Sequence, residues 1–260
     1  EETGIRAKTT GSFDLDDLDK ETEFSKGFSG EFSQDTLDQL ENDIRIKKIE
    51  YNYPIKASLE NTTDITNASI VWNNQTALGN LVDGTDQTIC ILDTGINYTH
   101  EDLGSCYGNN SLTSNCKVLG GHDFINNDED PIDDHGHGTH VAGIVASNNS
   151  VTSGIAPNSN LISIKVLDNL GSGTTAHIIS GLDWCINNAT SFNISVISMS
   201  LGTESTWWSN YCDSDYNTQV TDLINQAIEN EIAVIVASGN EYKTTQISAP
   251  ACIQNATAVA

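Results

Sequence analysis

Ile89-Cys90-Ile91-Leu92-Asp93-Thr94-Gly95 is an apolar run of strand length that breaks on an acid, a threonine and a glycine. Three more runs of the same kind follow: Leu161-Ile162-Ser163-Ile164-Lys165-Val166-Leu167, Ile194-Ser195-Val196-Ile197-Ser198-Met199 and Ile232-Ala233-Val234-Ile235-Val236. Between them the apolar spacing is helical. Val141, Ile144 and Val145 share one face, as do Ile178, Ile179, Leu182 and Ile186, and then Val220, Leu223, Ile224, Ala227 and Ile228. Strands that are apolar throughout are covered on both faces, and amphipathic helices between them make the connections of a parallel sheet. From Thr88 onward the pattern predicts an α/β fold, a doubly wound, mostly parallel sheet with helices on both faces. In such sheets chemistry collects at the carboxyl ends of the strands, which puts Asp93 at the expected edge.

The 260 residues carry 11 basic and 36 acidic side chains, a formal charge of −25, with a pI near 4.2. Nucleic acids and anionic lipid surfaces are bound by clustered Lys and Arg, so this balance repels the chain from them at long range and excludes most nucleic-acid partners. No apolar stretch approaches the roughly 18 residues that a membrane span needs. Six cysteines accompany Asn-X-Ser/Thr sequons at Asn61, Asn67, Asn74, Asn97, Asn109, Asn148, Asn188, Asn193 and Asn255. Together they predict a secreted glycoprotein from an oxidising compartment, its signal either removed or upstream of Glu1.

The first sixty residues read differently. Asp14-Leu15-Asp16-Asp17-Leu18-Asp19-Lys20-Glu21 is a solvated acidic run. Ser33 then suits an N-cap, Asp35 suits the positive first turn, and Leu37, Leu40 and Ile44 recur at helical spacing before Ile44-Arg45-Ile46-Lys47-Lys48-Ile49 alternates as a strand. Pro54 ends that pattern, and residues 55–80 suit an exposed linker anchored by Trp72. The expected division is a small α+β unit over 1–59 and the α/β domain over 60–260.

Taken alone, Asp93-Thr94-Gly95 is ambiguous, because Asp-Thr-Gly is also the local motif of aspartic proteases and an acid at a strand end often only forms a turn. Asp134-His135-Gly136-His137-Gly138-Thr139-His140-Val141-Ala142-Gly143 adds three histidines at the mouth of an amphipathic helix. His135, His137 and His140 could be zinc ligands or structural residues, or one could be a general base. The positive end of a helix disfavours imidazolium and keeps such a ring ready to accept a proton. Asp93 could then fix its tautomer.

The blocks Ile91-Leu92-Asp93-Thr94-Gly95-Ile96, His137-Gly138-Thr139-His140-Val141-Ala142-Gly143, Met199-Ser200-Leu201-Gly202 and Ala237-Ser238-Gly239-Asn240-Glu241 resemble, in order and spacing, those of the subtilisin-like serine peptidases. The resemblance runs from about Leu59 to Ala260. It implies that Asp93 orients the base, His137 is the general base and Asn240 donates to the oxyanion. It also implies that Gly171-Ser172-Gly173, Ser200-Leu201-Gly202 and Ala237-Ser238-Gly239 bind substrate, the first two by pairing with its backbone as added strands. Polypeptides are then the substrates. The family's Gly-Thr-Ser-X-Ala-X-Pro block, which bears the nucleophile, does not occur, so the 260 residues alone are expected to be an inactive, incomplete peptidase. The rival expectation is a non-catalytic pseudo-peptidase or peptide-binding module.

Gly27-Phe28-Ser29-Gly30-Glu31-Phe32, the helix after it and Ile46-Lys47-Lys48-Ile49-Glu50 resemble the second half of a subtilisin-type inhibitory propeptide. That implies a zymogen held by its own propeptide, with Ile55-Lys56-Ala57-Ser58-Leu59 as the tail in the cleft and the opening strand missing. The family also suggests structural calcium, with Asp102 and Glu60 as ligands, though the loop Ser147-Asn148-Asn149-Ser150-Val151-Thr152-Ser153 is short for such a site. No catalytic cofactor is implied. Cys106 and Cys116 bracket a short polar loop and are expected to pair, and Cys212 and Cys252 flank one helix and strand unit and make a second bridge. Cys90 and Cys185 could form a third bridge or stay as two buried thiols.

Overall fold

The computed structural model describes residues 4–9, 20–24, 27–51, 66–76, 79, 81–112, 114–203 and 206–260. The acidic run over 14–19, the tail over 55–59 and Glu60 lie outside them. The chain forms two compact units, Glu1–Ala57 and Ser58–Ala260.

In the first unit β1 (Gly4–Thr9), β2 (Lys20–Phe24), β3 (Gly27–Glu31) and β4 (Ile46–Tyr51) form an antiparallel sheet in the order β2-β3-β1-β4. The expectation that the opening strand is missing is therefore corrected. Gly4-Ile5-Arg6-Ala7-Lys8-Thr9 has too few apolar residues to announce a strand, and its pairing with β3 on one side and β4 on the other makes it one. Helix α1 (Gln34–Glu41) is capped by Ser33, which accepts from Thr36 N, and it buries Leu40. Ile44 does not extend its apolar face. The helix stops at Glu41, Asp43 turns the chain by accepting from Arg45 N, and Ile44 is 97% exposed.

The second unit begins with the short helix α2 (Ala68–Val71), beside which Trp72 Nε1 donates to Ile155 O at 2.8 Å. Its sheet contains β5 (Thr88–Asp93), β6 (Val118–Asp123), β7 (Asn160–Lys165), β8 (Ile194–Met199), β10 (Ala233–Ala237) and β12 (Thr257–Val259). All six run parallel in the order β12-β10-β8-β5-β7-β6, and β9 (Trp207–Trp208) and β11 (Ile247–Ser248) pair antiparallel in a separate two-stranded sheet. From β5 the chain runs to the edge at β6 and returns to β7, then crosses to β8 on the other side of β5. This reversal opens a crevice at the carboxyl end of β5.

Helices α4 (Thr175–Phe192) and α5 (Thr218–Glu229) cover one face and α3 (His137–Ala146) the other. Alternate residues of β5 divide accordingly: Cys90 and Leu92 join Leu182, Ile186, Val220 and Ile224, whereas Ile89 and Ile91 join Ala142 and Ala146. Thr174 and Asn217 cap α4 and α5 by accepting from His177 N and Val220 N. The buried stripe of α3 is Gly138, Ala142 and Ala146, and Val141, Ile144 and Val145 only flank it. Small residues let this helix lie close to the sheet. The sequence pattern also passed over β6, whose Gly120 and Gly121 lack side chains to pack; Asn110 supports it by accepting from Gly121 N and donating to Gly121 O.

Candidate active site

Three neighbouring strands end in register on charged residues: Asp93 on β5 and Asp123 on β6 both stand opposite Lys165 on β7. All three are buried. Asp123 closes a turn by accepting from Ile125 N, Asn126 N and Asn126 Nδ2. Lys165 uses its three ammonium protons on Thr94 O at 2.8 Å, Asp134 Oδ1 at 2.6 Å and Leu167 O at 3.0 Å. Its charge is thus fully hydrogen-bonded under the crevice.

Asp93 is different. Its Oδ1 takes both Thr94 N and His137 Nδ1 at 2.7 Å, while its buried Oδ2 has no hydrogen-bond partner. Burial pushes the Asp93 carboxyl up, against the pull of the hydrogen bonds from His137 and Thr94 N. His137 opens α3 with its side chain 42% exposed, so the ring reaches from the buried acid to solvent. The pairing of Nδ1 with Asp93 leaves Nε2 facing away from the acid and available as a base.

Helix α3 starts abruptly. Gly136 holds the cap position at φ 102° and offers no side chain to the first turn. Asp133 supplies the missing acceptor, taking Gly136 N, His135 N and Thr94 Oγ1 on one oxygen and Thr139 N and Thr139 Oγ1 on the other. Burial alone would raise the Asp133 carboxyl, but these hydrogen bonds outweigh it and hold it below the ordinary carboxylate range. Gly138 is needed for a separate reason, since a Cβ there would stand 2.1 Å from Gly95 O. The sequence reading missed Thr94, Asp133, Asp134 and Lys165 as parts of this region. A glycine-capped helix preceded by paired acids was the available signal.

Gly171, Ser172, Gly173, Ser200, Leu201 and Gly202 line one cleft of about 750 Å³ together with His137 and Thr94. Asp168 shapes the first of these segments by accepting from Leu170 N and Ser172 N, and those bonds hold its carboxyl below the ordinary range. Asn240 is not in that cleft. With Ser238 and Gly239 it lines a neighbouring cavity of about 990 Å³ walled by Trp207 and Trp208, and Ala237 ends β10 behind it. Ser248 and Ala249 separate the two spaces: Ser248 N donates to Ser238 O, and Thr203 N to Ala249 O.

Cys106 pairs with Cys116 and Cys212 with Cys252, and the pair left open, Cys90 and Cys185, forms a third bridge from β5 to α4. Of the residues named for calcium, Asp102 accepts from Asn149 Nδ2 on Oδ1, and Glu60 lies outside the described residues. No group of three or more His, Cys, Asp or Glu placed to hold a metal occurs among the described residues, and His135, His137 and His140 form none. No described helix is long and apolar enough to cross a membrane.

The sequence profile of the subtilase family matches residues 84–260, well over half of the chain. Serine protease AprX of Bacillus subtilis (strain 168) is 36% identical over 209 residues, covering 77% of this chain and 42% of that protein. Among solved structures, sphericase superposes with TM-score 0.56 at 29% identity, over 74% of this chain and 58% of its own. A cold adapted subtilisin-like serine proteinase gives 0.51 at 31% identity, over 68% and 55%. The chain spans about half the length of the curated relatives it matches.

Proposed function

Because the chain belongs to the subtilase family of serine peptidases, we propose that the natural protein is a secreted serine endopeptidase, made as a zymogen, that hydrolyses polypeptides through an acyl-enzyme. The observation that carries this reading is the 2.7 Å hydrogen bond between fully buried Asp93 and His137 beside an open cleft. With Nδ1 protonated and held by Asp93, His137 Nε2 takes the proton of an attacking serine and later returns it to the leaving amine. Asp93 stabilises the imidazolium formed between these steps. Asn240 is the proposed side-chain donor to the developing oxyanion, a role that requires it to reach the His137 cleft from the neighbouring cavity it lines. The segments 171–173 and 200–202 hold the substrate backbone on either side of the cleft, and 237–239 contributes beside Asn240. No described serine hydrogen-bonds His137 Nε2, so no nucleophile is assigned.

Residues 1–59 are proposed to act as the intramolecular inhibitor, a role supported by the order of strands and helix in a small antiparallel unit ahead of the α/β domain. Treatment of the natural protein with a serine-directed fluorophosphonate, followed by peptide mapping, tests the whole reading. A single labelled serine whose labelling is lost in His137→Ala is the expected result. A natural protein that takes no label yet binds peptides in the cleft would be a pseudo-peptidase instead.

A further inference from the structure

We infer that Asp133 is a positioning residue for His137: its carboxylate locks the first turn of α3 to the end of β5 and so sets the Asp93–His137 hydrogen bond. This inference rests on the peptidase reading for its catalytic meaning, though its geometry stands apart from it. His137 leaves the backbone directly after Gly136, a residue that any mobile turn would let swing. Its backbone N–H finds only His135 Nδ1, at 3.3 Å. The turn is fixed by what surrounds it. Five donors converge on Asp133, three of them backbone N–H groups on both sides of His137, at His135, Gly136 and Thr139.

A fourth donor, the Thr94 hydroxyl, comes across from the residue next to Asp93 at 2.8 Å. The same hydroxyl oxygen accepts from Gly138 N at 2.9 Å, one residue after His137. The acid and the base are thus tied together twice, once directly and once through Thr94 and Asp133. Lys165 braces the acid's side of this arrangement through Thr94 O and Asp134. Because every group facing Asp133 is a donor, only an ionised carboxylate satisfies the set. An asparagine would turn an NH2 group toward at least one N–H or O–H and open the turn.

The test uses an observable that does not need turnover. In the protein as it exists, the His137 Nδ1 proton in its hydrogen bond to Asp93 is expected as a far-downfield proton NMR signal. Asp133→Asn is expected to shift it upfield or broaden it away, and Asp83→Asn, which alters a comparable carboxylate remote from the site, is expected to leave it in place. In the natural enzyme Asp133→Asn is expected to lower kcat roughly tenfold to a hundredfold with KM nearly unchanged, as a misplaced catalytic group does. If Asp133→Asn does not fold, Thr94→Val removes the cross-link alone and should weaken the same signal.

An unchanged downfield signal in a folded Asp133→Asn or Thr94→Val protein overturns the inference even if the enzyme still takes the fluorophosphonate. A natural protein that takes no label but loses the signal on Asp133→Asn keeps the positioning and sinks the peptidase reading. Absence of the signal from the unmodified protein overturns both.

Discussion

The two edges of the six-stranded sheet both carry buried carboxylates, and they treat them in opposite ways. At the amino edge Asp83 receives Thr85 N and Thr85 Oγ1 on one oxygen and Asn158 Nδ2 on the other, so each oxygen is used. At the carboxyl edge Asp93 is more deeply buried, yet one oxygen is orphaned and the other is committed to a half-exposed histidine. The first arrangement joins the turns before β5 and β7 and contributes stability. The second leaves a buried charge under-satisfied, which costs stability.

Asp93→Asn breaks this contrast most directly. In the natural enzyme kcat should fall about 10⁴-fold, the size of loss when the orienting carboxylate of a serine peptidase is neutralised. The sign for stability is opposite. Burial raises Asp93, so the folded protein binds the extra proton and loses stability as pH rises from the ordinary carboxylate value through the raised one. The asparagine escapes that loss, so its urea midpoint at neutral pH should be equal or higher, and a lower midpoint would refute the contrast.

Removing the central bridge with Cys90→Ala and Cys185→Ala probes what the edges share. The bridge closes a sequence separation of 95 residues between β5 and α4, so its loss should cost up to about 4.7 kcal/mol in urea unfolding. Both edges should loosen together in hydrogen exchange. Protection lost at one edge alone would mean that the edges are stabilised independently.

At the amino edge, Asp83→Asn should cost about 1 kcal/mol and leave peptide hydrolysis unchanged. Burial would raise Asp83, but the hydrogen bonds from Thr85 and Asn158 outweigh it and hold it below the ordinary range. Its contribution is therefore complete above the ordinary carboxylate value and is lost as pH falls through the lowered folded one. Urea titrations of the two proteins should converge in that acid window.

Lys117 sharpens the picture at the same edge. Its half-buried ammonium donates to Pro157 O and Ser159 O, and burial pulls it down to about 8. Between there and the ordinary lysine value the unfolded chain holds the extra proton, so folding is favoured as pH rises. That gain should be about 1 kcal/mol once solvent screening is discounted, and Lys117→Met should flatten it in urea midpoints taken at pH 8 and pH 10.

The legible parts of the site were those written in contiguous residues. Asp93 ends an apolar strand, His137 begins a helix, and the glycine and serine segments at 171–173 and 200–202 line the cleft with them. The less legible parts have non-local causes. Thr94 and Asp133 are 39 residues apart and meet only because β5 and α3 pack closely through Gly138. Lys165 looks like an ordinary polar position in a strand until Thr94 O, Asp134 and Leu167 O surround it. Gly4–Thr9 and Val118–Asp123 carry weak strand patterns and become strands through their neighbours.

From the sequence alone came the α/β alternation, the family blocks, and Asp93 and His137 as the candidate acid and base at one strand edge, because hydrophobic periodicity and short motifs act over a few residues. The tertiary structure decided that Asp93 keeps an unpaired oxygen, that Asp133 holds the turn bearing His137, and that Asn240 lies in a separate cavity. It also joined Cys90 to Cys185. Each of these depends on which distant groups meet in a low-dielectric interior, where a buried charge is stable or costly according to its partners, and no local pattern encodes that meeting.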